Sequence, residues 1–263
     1  MSTTGEERDE NAVNQGLTAI GRARSSFLYL IGLMIAFGNW NDTKEISITI
    51  YQVILKSFTH QVEEAKVHSI NVGNYLPYIE KSLGPPRVIK PSKNHKGVQF
   101  RYYHNDKYLL TLMAQGDRIQ GVLVQAMNVD SPLNLAGPFA PTVPYTNIRL
   151  STQKLSEIPF EDPRINYDNH NLTYYMERHE LDKSGMFLAL YLGRTEYGEG
   201  EQALGRALSQ LSTSISVNPE SSYKAVRDIR ESFSPNFYSI SELSSETVAE
   251  SLLTTHEIKT LFK

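Results

Sequence analysis

Asp168, His170 and His179, with Glu177 and Glu180 close by, are the densest run of chemistry-bearing side chains in this chain. Imidazole nitrogens and carboxylates hold divalent cations, and the same pair moves protons in hydrolysis. Their spacing argues for something plainer. Helical metal motifs set two His four residues apart on one face, whereas His170 and His179 are nine apart across a strand-like run. The expectation is a surface or turn role. A hydrolase-like or metal-dependent enzyme remains as an alternative, and it requires Asp168, His170 and His179 to converge. Glu161 and Asp162 form another carboxylate pair, but in a Pro-rich loop where such residues make turns. His95 falls in a polar loop and His104 at a hairpin turn, and both are expected to be solvated.

A second candidate is the glycine run Gly198, Gly200, Gly205. A phosphate cradle needs bare backbone amides and a following Lys. Here Glu199 and Glu201 would repel the anion, and no Lys-Ser or Lys-Thr follows Gly205. The run reads instead as a turn feeding a helix with an acidic start. There is no Gly-x-Ser-x-Gly, and the absence of Cys removes disulfides, thiolate zinc sites and cysteine nucleophiles. A net charge of −3 gives no electrostatic footprint for nucleic acid. No catalytic, cofactor-binding or metal residue is therefore assigned, and no cofactor is expected. The 15 Tyr are numerous, and core and rim packing accounts for them.

The elements that position these residues begin with an uncharged stretch, Ser25 to Asn41, flanked by Arg22 and Arg24 before and Asp42, Lys44 and Glu45 after. Its apolar heart runs from Phe27 to Phe37, with Tyr29 and Trp40 suited to interfaces. It reads as a single transmembrane helix at 25–41, following a disordered cytoplasmic tail at 1–24. The flanking Arg residues put the N-terminus in the cytoplasm and the rest in the periplasm. A cleaved signal (Ala36-Phe37-Gly38) and a soluble core or interface helix are the alternatives. Gly32 and Ala36 offer a self-association face on the anchor.

Residues 42–70 are read as a juxtamembrane helix, on Ile50, Tyr51, Ile54, Leu55, Phe58 and Val62 at helical spacing, with a strand over the β-branched run 46–50 as the alternative. Residues 71–130 form a small α+β domain. Its helix carries Tyr75, Leu76, Ile79 and Leu83 on one face, and Gly84 with Pro85-Pro86 ends it. Three strand-like runs follow, at 98–103, 108–113 and 118–127, joined by short turns into an antiparallel meander. Six of the twelve Pro fall within 131–163, marking an extended connection. The C-terminal α+β domain, 164–263, opens with strands at 172–178 and 186–193. It continues with helices, one bearing Leu204, Leu208 and Leu211, the next capped by Asn218 with Tyr223, Val226, Ile229 and Phe233 facing inward. Thr254 to Glu257 has capping-box spacing. No repeat of fixed period is visible. The fold class is thus α+β: an anchor, a helix on a three-stranded meander, and a second unit rich in helices.

Residues 73–125 resemble the SmpA/OmlA domain of the barrel-assembly accessory lipoprotein. The likeness lies in Leu83-Gly84-Pro85-Pro86, Phe100 to Tyr103, and Leu110 to Gly121. The region is also similar to an uncharacterised family of bacterial membrane-tethered proteins. The resemblance implies a helix-plus-meander fold. The lipid-bearing Cys of the lipoprotein family is missing, so the barrel-assembly role does not follow. The expected function is a membrane-anchored, non-enzymatic interaction or scaffold module of the bacterial cell envelope with an unknown protein partner. Its binding surface is expected on the sheet face bearing Gln99, Arg101 and Tyr103, or on an edge strand open to augmentation. A cytoplasmic component using the apolar segment as an interface is a further alternative.

Overall fold

A computed structural model describes residues 60–127, 138–159, 163–181, 183–185, 188–196, 202–217 and 219–261. All of them belong to one compact unit, Ser57–Lys263. Two short helices lead, α1 (Gln61–His68) and α2 (Leu76–Leu83). Four strands follow: β1 (Val88–Pro91), β2 (Val98–His104), β3 (Tyr108–Gln115) and β4 (Arg118–Ala126). Then come β5 (Arg164–Asp168), β6 (Tyr174–Glu180), β7 (Ala189–Thr195), helices α3 (Ala203–Val217) and α4 (Pro219–Ser232), β8 (Phe237–Ser241), and helices α5 (Ser245–Glu250) and α6 (Thr255–Leu261).

Among the described residues these strands form one eight-stranded antiparallel sheet in the order β1-β2-β3-β4-β8-β7-β6-β5. This corrects the expected fold class. The meander does not stand alone, and the C-terminal elements do not form a separate unit rich in helices. The reason is β8. Its five residues, Phe-Tyr-Ser-Ile-Ser, are too short and too rich in Ser to signal a strand from sequence. Yet all are buried, and β8 pairs with β4 on one side (Val122↔Ile240) and β7 on the other (Leu190↔Ile240). It fuses two four-stranded halves into one layer. The order is palindromic in rank: first, second, third and fourth strands, then fourth, third, second and first. That is the arrangement of two similar meanders about a dyad perpendicular to the sheet, between β4 and β8.

Both faces of the sheet are covered, unlike the half-solvated antiparallel sheets that give a clean alternation. In β3 only Gln115 is exposed, which explains its nearly continuous apolar run, interrupted by the buried Thr111. On the first face, Tyr103, Leu110, Leu112, Val124, Tyr175, Leu190, Leu192 and Tyr238 pack with Leu76 and Ile79 of α2, with Leu204, Leu208 and Leu211 of α3, and with Ile229 of α4. The described part of the Pro-rich stretch lies on this same face, where it buries Phe139, Val143, Leu150 and Leu155. On the second face, Phe100, Tyr102, Met113, Leu123, Met176, Tyr191 and Phe237 meet Leu243, Val248, Leu252 and Leu253 around α5.

Local chemistry fixes the boundaries. Gly84, at φ +81, ends α2 and donates its N–H to the Glu80 carbonyl at 2.8 Å. Gly116, at φ +57, supplies the positive φ of the tight β3–β4 turn. Thr254 and Glu257 form the expected capping box: the Thr254 N–H donates to the Glu257 carboxylate at 2.8 Å, and the Glu257 N–H to the Thr254 hydroxyl at 3.2 Å. Tyr223, expected on the inner side of α4, is instead 78% exposed.

No helix among the described residues is long and apolar enough to cross a membrane. This corrects the single-pass, inner-membrane placement and the periplasmic assignment of the later domains. The segment 25–41, with its Gly32–Ala36 face, and most of 42–70 lie outside the described residues. Length is the physical weakness of the membrane reading. The apolar heart from Phe27 to Phe37, taken as a helix at about 1.5 Å per residue, reaches roughly half of a ~30 Å hydrocarbon core.

Candidate functional site

Asp168, His170 and His179 are not brought together. Asp168 ends β5 opposite Tyr174, and its Oδ1 accepts the backbone N–H groups of Asn169 (2.7 Å) and His170 (2.9 Å). It is a turn-forming carboxylate, with His170 exposed beside it. His179 lies five residues further along β6, roughly 17 Å away at strand rise. Contrary to a surface role, His179 is buried. Among the described residues no set of three or more His, Asp and Glu gathers as a metal-holding group. Glu161 and Asp162 lie outside the described residues.

What sequence reasoning missed is the neighbourhood of His179. Tyr175, Glu177 and His179 alternate along β6 and point into the first face. Glu177 is fully buried. Its Oε1 accepts the Tyr175 hydroxyl at 2.8 Å and stands 3.0 Å from Arg230 Nε, on α4. Its Oε2 stands 3.4 Å from His179 Nε2. Arg230 also donates through Nη2 to the Leu155 carbonyl at 3.1 Å. Burial, then the Glu177 charge and hydrogen bond, pushes the Tyr175 hydroxyl far up, so it stays a donor. This group clamps α4 and the turn at Leu155 to β6. Period-2 spacing of Tyr175, Glu177 and His179 was the available signal, but nothing local identifies Arg230 as their partner.

At its described end the glycine run leads into α3, whose first turn holds no acidic residue, contrary to the expected acidic start. The amides of Leu204 and Gly205, at the start of α3, donate to the carboxylate of Glu196 at 2.8 and 3.4 Å. A buried side chain of this protein thus occupies the place a phosphate would take. Gly198 and Gly200 lie outside the described residues. His104 is half-buried at the end of β2, and burial, then the Arg87 charge, holds it below the usual imidazole range.

The expected binding face is covered. Tyr103 is buried beneath α2, its hydroxyl donating to Glu80 Oε1 at 3.2 Å. Arg101 pairs with the same oxygen at 2.7 Å. Of the three residues only Gln99 is exposed. An open groove of about 1010 Å³ runs between α3 and α4 above Ile229 and Phe233, with mixed rims (Arg206, Gln210, Lys224, Asp228).

The sheet edges remain, and they differ. Edge strand β1 ends in Pro91, which has no N–H to offer. Its Lys90 is tied to Glu257 of α6 at 3.0 Å. The Ser92–Asn94 loop beyond it is held by Glu250 of α5, whose carboxylate accepts the Ser92 hydroxyl (2.7 Å) and the Lys93 and Asn94 amides (2.6 and 3.1 Å). Proline, lysine and a covering helix are the usual guards against strand addition. Edge strand β5, Arg-Ile-Asn-Tyr-Asp, has no Pro. No strand among the described residues pairs with its outer side. On its inner side, Tyr174 donates to Asn166 Oδ1. Burial, then Asp168 and Glu246, pushes the Tyr174 hydroxyl up to about 12. Tyr167 accepts from Ser212 of α3 at 3.4 Å. The strand is braced from both faces, while no described strand pairs with its outer backbone edge.

No protein-family profile matches the chain. No curated protein matches its sequence either. Among solved structures, a cysteine-rich secretory protein from Staphylococcus aureus is similar at a TM-score of 0.31 and 10% identity, over 68% of this chain and 44% of that one. An extracellular protein containing an SCP domain from Bacillus anthracis is similar at a TM-score of 0.33 and 10% identity, over 72% of this chain and 52% of that one. The chain spans about half the length of these structures.

Proposed function

We propose that this chain is a protein-interaction module that captures an extended segment by strand addition at β5. The observation that supports it is the contrast between the two sheet edges: β1 is guarded by Pro91, Lys90 and α6, while β5 has no proline and no strand on its outer side among the described residues. Main-chain hydrogen bonds give such a complex its affinity, and alternate side chains give it selectivity. The flanking helices hold β5 extended before anything binds, so little ordering is left to do. The polar clusters described above act within the fold. Glu177 and Arg230 dock α4, Glu196 starts α3, and Asp168 closes a turn.

A photo-crosslinking residue at position 164 of the full chain, expressed in its native cells, tests this reading. The same residue at exposed position 227 on α4 is the control. Position 164 should capture one recurrent extended segment, mapped by mass spectrometry. A synthetic peptide of that segment should slow amide exchange at 164–168. Crosslinks no more frequent or specific than those from position 227 would overturn the proposal.

A further inference from the structure

We infer that the segment added to β5 is β5 of a second copy of this chain, giving a twofold dimer with one continuous sheet. The inference rests on the strand-addition reading above and names its partner. The strand is complementary to itself. Antiparallel pairing about a dyad at Asn166 sets Arg164 opposite Asp168 of the second copy, twice. It sets Ile165 opposite Tyr167, twice, and Asn166 opposite itself. Opposite charges and an aromatic facing a β-branched residue are favourable cross-strand pairs. Moving the dyad one residue either way removes both Arg–Asp pairs.

The faces agree as well. Arg164, Asn166 and Asp168 share one face of the sheet, and Ile165 and Tyr167 pack towards the core of the other. A dyad perpendicular to the sheet preserves those faces, so the apolar row of one copy continues into the other. Within the chain, Arg164 is opposite Arg178 and Asp168 opposite Tyr174. Neither β5 charge therefore meets an opposite charge across its own ladder. The self-pairing supplies one to each, and it is an isologous contact that closes after two copies.

The chain has no Cys, so single cysteines report the register directly. Directly opposed residues of an antiparallel pair have Cα atoms about 4.5–5.5 Å apart, within disulfide reach. In the full chain, Asn166→Cys should oxidise to a disulfide-linked dimer. Arg164→Cys alone should not, because two copies of position 164 lie four residues out of register, roughly 13 Å. A mixture of Arg164→Cys and Asp168→Cys chains should give the mixed dimer. Arg164→Asp should weaken self-association about tenfold, and the double exchange Arg164→Asp with Asp168→Arg should restore it. Circular dichroism on every variant separates loss of pairing from loss of fold. A folded Asn166→Cys chain that stays monomeric under oxidation overturns the inference. If position 164 then still captures a foreign extended segment, strand addition stands with a different partner; if it captures nothing, both readings fall.

Discussion

Two glycines leave room for the side chains of β8, one on each neighbouring strand. A Cβ on Gly193 of β7 would lie 2.4 Å from the Phe237 ring and 2.4 Å from the Tyr175 carbonyl oxygen. One on Gly121 of β4 would lie 2.5 Å from the Ser241 hydroxyl. Backbone cannot step aside as a flexible side chain can, so Gly193→Ala should cost about 1–3 kcal/mol or more. A urea midpoint equal to that of the parent would refute the packing described for the seam. The buried Glu177 gives a sharper test. Arg230→Met leaves a carboxylate at the heart of the first face without its cation, and such losses cost about 3–5 kcal/mol. Adding Glu177→Leu to that variant should recover much of the loss, since the uncompensated charge is then gone. Equal losses in the single and double variants would mean that Arg230 acts through packing alone. Neither glycine stands out in the sequence: each becomes meaningful only once β8 is known to lie beside it.

At the scale of elements, the Ser92–Asn94 loop and α6 are held to the body by two carboxylates, Glu250 and Glu257. Burial raises the pKa of Glu250. The Ser92 hydroxyl, the Lys93 and Asn94 amides and the Lys90 charge outweigh it and leave the group below the usual carboxylate range. For Glu257, burial is likewise outweighed, by the Thr254 amide, Lys90 and the Thr254 hydroxyl. A carboxyl whose pKa is depressed on folding stabilises the fold above its unfolded pKa, about 4.3. That stability is lost as pH falls through the lower folded value. Amide exchange at 92–94 and in α6, corrected for its intrinsic pH dependence, should be flat from about pH 8 to 5 and rise below about pH 4. A rise already at pH 6 would point to a His instead. Such elements are the ones most readable from sequence. Leu76, Ile79 and Leu83 repeat at helical spacing, Gly84 stops the helix, and Thr254 with Glu257 marks the next start. The signals are local because the hydrogen bonds are local. β8 and the Arg230 clamp were illegible for the opposite reason: β4 and β8 meet across more than a hundred residues of chain.

At the scale of the molecule, β8 makes the two meanders one cooperative body. The described residues should unfold in a single transition, with fluorescence and far-UV signals coinciding. Removing everything after Asn236 should abolish both halves, read as collapse of amide dispersion in the 98–126 and 174–195 regions alike. A truncated chain that kept a folded first meander would show that the halves are independent after all. The same strand also sets a timetable. Hairpins close in microseconds, but β4 leaves the ribosome roughly 110 residues before β8. At about 5–20 residues per second, that is on the order of ten seconds of waiting. Throughout that interval β4, and later β7, presents a naked backbone edge flanked by apolar side chains, a template for the wrong neighbour. Any message that stalls or ends early within that window would release a chain with its stickiest surface uncovered. Correct production of this protein thus hinges on translation reaching β8.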